Sequence, residues 1–586
     1  MKTHTSSDSK STNTGERQYK NMVDSTSKND DIEERSTNAS WDKKKGVKAT
    51  QKGEADIKGK PSAINQKETH GEKNKSKSSL SIGLSKFLNK DPVFTIPSAP
   101  KETNAKLNLL ARDFLLSDDV IEKIIAKVHD NIHLGLNVNF DKFLDDSPFL
   151  DENATMPITL SFVEKNLDMN MLSGLSCLSL FLDQNVLRIG FTAFLSEKTP
   201  INSTQFEISA GQKGADPDQG KYSTIERGYR LTNEAKSEHL FGWIANCVYL
   251  FTDGFGIKPQ SRFGYIPCGF VFSLPRNEGD DSKDTTPNYL AENLIPGVVD
   301  GSFIENIQNA LDALELNVKI ISSNSDAVGQ LVSSNIQDSD SFASVVIGAA
   351  INSCFWEKVY NIPKLDSNSN EDVIVNVEWN SFDNRLDTLV NTFYDNRALR
   401  LYSGYTSGPL EVMLSESYLG EIIRNILLDF IDRQYIFRGR SSAILNSRFS
   451  FDPAYMALIL SDDSPYLTDT FAVVTEILQI PDVTTLDILI VRNICLIVIH
   501  RTAKLYAIII STTLLFKKDA LDSHECYTVS INEPIHEYLP GFDNLVLENL
   551  HSVLGKPLAD KLKLNFHKDG PIFGCAVAAL MAVLFK

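Results

Sequence analysis

At 586 residues, 42% of them hydrophobic, the chain has room for several domains or one large two-lobed body with a substantial core. A net charge of −18 argues against a nucleic-acid scaffold, so no direct nucleic-acid partner is expected. Seven cysteines (Cys177, Cys247, Cys268, Cys354, Cys495, Cys526 and Cys575) are scattered, and no pair has metal-ligand spacing, so reduced buried thiols and no metal site are expected.

The start, MKTHTSSDSK, is polar and carries no secretory signal. Residues 1–97 are rich in Ser, Thr, Asn, Lys and Glu and poor in large apolar residues. Such a segment cannot offset its ordering entropy, so a disordered tail is expected. Its cluster Lys43, Lys44, Lys45 and Lys48 reads either as a solvated charge run or as a nuclear-import signal, so the expected compartment is the cytoplasm, with the nucleus open.

Beyond residue 97 the pattern becomes globular. Phe114 to Leu136 has helical periodicity, with Ser117 as N-cap. Leu178–Phe194 and Cys268–Leu274 read as strands, and Phe303–Leu316 as a helix. Val345–Ala350 and Val373–Val377 read as further strands, and Leu414–Arg433 as one amphipathic helix. Leu486 to Phe516 is the most apolar stretch, but Arg492, His500, Arg501 and Lys504 interrupt it. It reads as a pair of core strands or helices, not a membrane span, and the run from Pro571 to Phe585 is too short to span a bilayer. Strands and helices mix throughout, which implies a layered α/β architecture.

The stretch from Asn317 to Leu331 is central. Val318, Ile320 and Ile321 predict a buried strand that ends in Ser and Asn residues and then Asp326. A helix follows, with Gly329 allowing close packing. A carboxylate at a strand end is rigidly placed, as a catalytic base must be. An N-cap is the plainer reading of the same Asp.

From about Phe114 onward, landmarks resembling the hexokinase family occur in family order. They are Met156-Pro157 with Thr159 and Val163, Gly269-Phe270-Val271-Phe272-Ser273-Leu274-Pro275, and Ser325-Asp326-Ala327-Val328-Gly329. Asn376-Val377-Glu378-Trp379 with Phe382-Asp383-Asn384 follows, then Glu411 with Tyr418-Leu419-Gly420-Glu421, then Tyr538 with Pro540-Gly541-Phe542. The resemblance implies a two-lobed actin-like (ribonuclease H-like) α/β fold. Its small lobe would take about 171–326 and the extreme C-terminus, and its large lobe about 98–170 and 327–568. By sequence halves, 98–326 is mostly small lobe and 327–586 mostly large lobe.

The resemblance also assigns roles. Asp326 matches the catalytic base, and Ser273, Asn352, Glu378 and Glu411 match sugar-contacting positions suited to hydroxyl groups. Two family sugar contacts, a Thr and a Lys, fall opposite Tyr289-Leu290-Ala291-Glu292-Asn293, where both are missing. The phosphate loops diverge further. Asp183 is followed by Gln184-Asn185 in place of a glycine pair, and the second motif reads Gly348-Ala349-Ala350-Ile351-Asn352. Asn532-Glu533-Pro534 replaces Asp-Gly-Ser, and the closing motif reads Asp569-Gly570-Pro571-Ile572-Phe573-Gly574. Asp183, Gly348, Asp569, Gly570 and Gly574 are thus remnants of a nucleotide site. Glycine serves phosphates by positive φ or close backbone approach, and proline removes a donor, so weak or absent ATP binding is expected.

Three readings follow. The first is a catalytically impaired hexokinase homologue that binds a glucose-like hexose weakly and acts as a regulator or sensor with protein partners. The second is an active but divergent kinase for glucose or an amino sugar, which alone requires ATP and Mg2+. The third is a non-binding structural partner protein.

Overall fold

The structure, a computed structural model, describes residues 95–585 except 138–155, 166, 184–185, 196–221, 232–239, 261, 274–302, 349–350, 380–381, 401–407, 533–534, 536–538, 540 and 567–569. The expected disordered tail lies almost wholly outside the described residues. So do Asp569, the 289–293 segment and the substituted positions 184–185, 349–350 and 533–534.

Two sheets organise the described chain. Strands β1 (Ile158–Ser161), β2 (Ser176–Leu182), β3 (Val186–Phe194), β4 (Tyr222–Arg230), β5 (Ile266–Phe272) and β6 (Val318–Ser325) come first. β7 (Ser341–Ile347), β8 (Ile351–Lys358), β9 (Asp372–Glu378), β10 (Tyr527–Asn532) and β11 (Leu562–Phe566) follow. The small-lobe sheet has the order β4-β3-β2-β5-β6, and the large-lobe sheet β1-β9-β8-β7-β10-β11. The helices used below are α1 (Lys101–Phe114), α2 (Asp118–Asn137), α3 (Leu240–Gly254), α4 (Phe303–Ala313), α5 (Asp326–Gln337), α6 (Phe393–Leu399), α7 (Pro409–Leu414), α8 (Glu416–Asp432), α9 (Thr485–Phe516), α10 (Phe542–Leu554) and α11 (Gly570–Leu584).

Strand alternation sets the layers. Leu178, Leu180 and Leu182 of β2 face one core with α3 and α4, while Cys177 and Phe181 face the other side of the sheet, against α11. The core around α11 includes Val346, Cys354 and Ile374 of the large-lobe sheet as well as Cys177 and Phe194 of the small-lobe sheet. Thus α5 and α11 lie in a hydrophobic layer shared by both lobes. Their approach depends on glycine. A β-carbon on Gly329 would stand 2.7 Å from the Pro571 carbonyl oxygen, and one on Gly574 would overlap the Gly329 carbonyl.

Several sequence expectations need correction. The apolar run from Leu486 is one 32-residue helix, α9, not a pair of elements. Thr484 and Asp487 form a capping box at its start. Arg501, which seemed to interrupt it, donates to both carboxylate oxygens of Asp395 at 2.7 and 2.8 Å and stacks 4.1 Å over the Phe114 ring. By length and composition α9 resembles a membrane span, yet 89% of its most apolar window is buried within the protein. The helix expected over Leu414–Arg433 is α8, which starts two residues later, at Glu416, because the chain is extended at Ser415, where the short α7 ends. Likewise Phe114 ends α1, and the next helix begins only at Asp118, after Ser117 has accepted its first backbone bonds. The strand expected at Val345–Ala350 runs instead from Ser341 to Ile347. All seven cysteines are free, and six are buried.

Removing the cation from a buried pair leaves a carboxylate stranded, which costs about 3–5 kcal/mol. Arg501→Met should therefore lower unfolding free energy by about that much, read from urea midpoints. A loss below ~1 kcal/mol would show that the Asp395 pair does not hold α6 to α9.

Candidate functional site

Parallel pairing builds the site. In the small-lobe sheet Leu182 pairs with Phe272, and Phe272 pairs with Ser325. The next residues, Asp183, Ser273 and Asp326, therefore leave three adjacent strands at one edge, and the Ser273 N–H donates to the Leu182 carbonyl at 3.2 Å. The carboxyl ends of parallel strands are where open α/β sheets place ligands.

Asp326 is the first residue of α5 and is fully buried. Ser273 Oγ donates to its Oδ2 at 2.7 Å, and Asn352 Nδ2 donates to its Oδ1 at 2.8 Å. The Ala327 N–H donates to the same Oδ1 at 2.7 Å. Burial pushes the Asp326 carboxyl up to about 6, the three donors oppose that rise, and the nearby charge of Asp183 adds to it. The result is a group that is ionised at neutral pH yet basic enough to accept a proton from a bound hydroxyl.

Asn352 opens β8, where it is the register partner of Glu378 at the end of β9. Both are buried, as is Glu411. Glu411 lies in the first turn of α7 and accepts the Gly408 N–H at 3.1 Å, so part of its carboxylate caps its own helix. Ser273, Asp326 and Asn352 thus form one hydrogen-bonded cluster drawn from both lobes, and Glu378 adjoins it through the β8–β9 ladder.

The nucleotide remnants separate. Asp183 lies beside Asp326 at the strand edge. Gly348 directly follows β7, and a β-carbon there would meet open space. Gly574 stands inside α11 at the crossing with α5, so close packing accounts for its missing side chain. A β-carbon on Gly570, at the start of α11, would overlap the Gln330 carboxamide.

Some participants had no sequence signal. Ser344 Oγ and Cys354 Sγ both donate to the Ala327 carbonyl, at 2.6 and 3.2 Å, and pin the first turn of α5 to the large-lobe sheet. Ser325 caps α5 by accepting the Val328 N–H at 3.3 Å. Its hydroxyl donates to Asn376 Oδ1 at 2.8 Å, and Asn376 Nδ2 donates to Thr159 Oγ1 at 3.2 Å. The Ser325 side chain is therefore spent on capping α5 and joining the two sheets.

A carboxyl raised by folding favours the native state when protonated. Its stabilising proton is fully present below the unfolded value near 4 and is lost as pH rises through about 6. Above that, the buried carboxylate costs about 2–3 kcal/mol. Asp326→Asn removes this titration. Its stability relative to the native protein should rise by about 2 kcal/mol between pH 4.5 and pH 7.5 in paired denaturant titrations. Parallel pH profiles would refute the raised value.

Two hexokinase family models match the chain, one over residues 106–336 and the other over residues 342–581. Hexokinase from Schwanniomyces occidentalis is 26% identical over 381 residues, covering 63% of this chain and 77% of that protein. Hexokinase from Schistosoma mansoni is 27% identical over 368 residues, covering 62% and 79%. A solved structure of the Schistosoma mansoni hexokinase complexed with glucose superposes with a TM-score of 0.66 at 23% identity, over 82% of this chain and 99% of that one. The two models abut at the end of α5 and between them span both sheets, and the fold matches that of solved hexokinases. The chain is a divergent member of the hexokinase family whose ATP-binding motifs are degenerate.

Proposed function

We propose that this protein binds a hexose in the cleft around Asp326, transfers phosphate to it poorly or not at all, and serves as a regulator or sensor in carbon metabolism. The observation that carries this reading is the contrast between the two halves of the site. The sugar half keeps Ser273, Asp326 and Asn352 in a buried hydrogen-bonded cluster, with Glu378 and Glu411 also buried. Each of these groups suits a sugar hydroxyl, and a net hydrogen bond contributes about 0.5–1.5 kcal/mol. Millimolar binding needs only about 4 kcal/mol, so a sugar site short of a Thr and a Lys still suffices. The glucose bound in the Schistosoma mansoni hexokinase supports a hexose as the ligand class.

On the nucleotide half, four loops have lost glycines or a hydroxyl and gained Glu533, Pro534 and Pro571. Each change removes a phosphate donor, crowds the backbone or adds like charge. One observation favours a working kinase instead: the carboxyl of Asp326 is set near 6 and held by three donors, as a general base requires.

A thermal-shift series separates the readings. Glucose, mannose or N-acetylglucosamine at tens of millimolar should raise the melting temperature, and ATP-Mg should not. Glu378→Gln should weaken hexose binding about tenfold. Glu378 is the better probe, because replacing Glu411 also removes a helix cap. ATP-dependent turnover of hexose at about 10 per second would overturn the impaired reading in favour of the active one. A shift with ATP-Mg and none with any hexose would overturn both.

A further inference from the structure

The loop between α3 and β5 feeds the amino end of β5, so it lies at the edge of the small-lobe sheet opposite to Asp326. Strand β6 runs parallel to β5 and brings Lys319, its second residue, to the same edge. At about 3.3 Å per residue, the run from Lys319 to Asp326 separates this edge from the carboxyl by about 20–25 Å. Side-chain and backbone bonds hold the loop in one shape. Gln260 Oε1 accepts the Ser176 N–H at the start of β2 at 3.4 Å, and its Nε2 donates to the Ser176 carbonyl. The Gln260 carbonyl accepts the Phe263 and Gly264 N–H groups at 3.1 and 2.8 Å, and its own N–H donates to the Tyr265 carbonyl at 3.3 Å. Gly264 completes the turn at a φ of 75°, where glycine is favoured.

On this frame the half-buried rings of Phe263 and Tyr265 stack, with centroids 5.8 Å apart and planes inclined by 29°. The Arg262 guanidinium stands 5.6 Å from the centre of the Phe263 ring, and Lys319 Nζ stands 5.5 Å from that of Tyr265. A ring face steadies a cation without neutralising it. Lys258, on the same loop, adds a further positive charge. All three cations are exposed, and among the described residues none has a carboxylate partner. Asp253 and Glu315, the carboxylates closest along the chain to Lys258 and Lys319, form no ion pair with them. On a chain with a net charge of −18, this edge carries unspent charge of the opposite sign.

We propose that this edge of the small lobe is a docking surface for an acidic segment of a partner protein, whose carboxylates pair with Arg262, Lys319 and Lys258 and whose apolar atoms lie along the Phe263 and Tyr265 rings. This rests on the regulator reading above and names the chemistry of its partner. A guanidinium takes a carboxylate in a two-bond fork, and Arg and Tyr are enriched among the residues that dominate interface energies. The number of cations favours a protein over other polyanions. Nucleic-acid binding engages about 6–10 phosphates, and a lipid-binding polybasic cluster has about 4–8 Lys and Arg, so this group of cations on an acidic body falls short of both. Because the cleft lies at the opposite strand ends, docking here leaves the hexose site open.

The test titrates a short fluorescein-labelled peptide of Glu and Leu, and separately glucose, against the full-length protein at low and at raised salt. The double variant Arg262→Glu, Lys319→Glu and the single variant Lys258→Glu are measured beside it. These substitutions change exposed side chains, so the fold is kept, and the N-terminal lysines are common to every sample. Expected is peptide binding by the parent that weakens as salt rises. The double variant should lose tenfold or more in peptide affinity and Lys258→Glu less, with glucose affinity within twofold of the parent throughout. No binding by the parent, or equal affinity in the parent and the double variant, overturns the proposal. So does binding of phosphatidylserine vesicles or of a single-stranded oligonucleotide through these residues in preference to the peptide, since the occupant would then be a membrane or a nucleic acid. Ordinary hexose turnover by the parent, measured separately, overturns the regulator reading and not the peptide site.

Discussion

The crossing of α5 and α11 through two glycines governs the rest of this structure. Gly329 and Gly574 let the two backbones meet without an intervening side chain. The same helix α11 passes over Gly190 of β3 and Gly269 of β5, where a β-carbon would stand 2.5 Å from Ile572 and 2.7 Å from the Cys575 carbonyl oxygen. Helix α11 is thus pressed between a sheet and a second helix. Because Asp326 is the first residue of α5, the seating of α11 fixes where that carboxyl stands. A single methyl group at either glycine would shift the base, because packed interiors do not yield by fractions of an ångström at little cost.

Around that fixed point, polar groups do what apolar packing cannot. Asp326 is buried deeply enough to resist ionisation, and three donors make ionisation tolerable at neutral pH. Two of those donors, Ser273 and Ala327, are supplied by β5 and by α5 itself. The third, Asn352, comes from the large-lobe sheet. The chain Ser325–Asn376–Thr159 adds a second polar tie between the lobes. Each buried group in these ties has a partner, which is what makes a polar cleft floor affordable.

What could be read from the sequence was local. The β-branched run ahead of Asp326 gave a strand, and the Ser325-Asp326 junction gave a helix start, because both depend on near neighbours. The close packing expected of Gly329 is present as well. Long-range partners stayed hidden. Arg501 looked like an interruption of an apolar run because Asp395 lies 106 residues away. Strand β8 is buried on both faces and carries Asn352 and Ser353 at adjacent positions and Glu357 further on, so it lacks an apolar–polar signature, although all three are buried. Ser344 and Cys354 had no signal at all, since nothing in their neighbourhood announces the Ala327 carbonyl.

The placement of α11 also bears on how the chain acquires its fold. The small-lobe sheet is complete once Ser325 has been made, yet the helix that covers its inner face begins at Gly570. Synthesis proceeds at ~5–20 residues per second, so that face waits about 10–50 s for its cover. Throughout that interval Phe181 and Val271 lack Ile572 and Cys575, their partners in the finished protein. Contacts this distant in sequence are slow to form, and their absence leaves a nascent chain open to wrong associations. The last fifteen residues of the ordered core act as a latch on a lobe built long before them, and the ribosome, not the fold alone, sets when it closes.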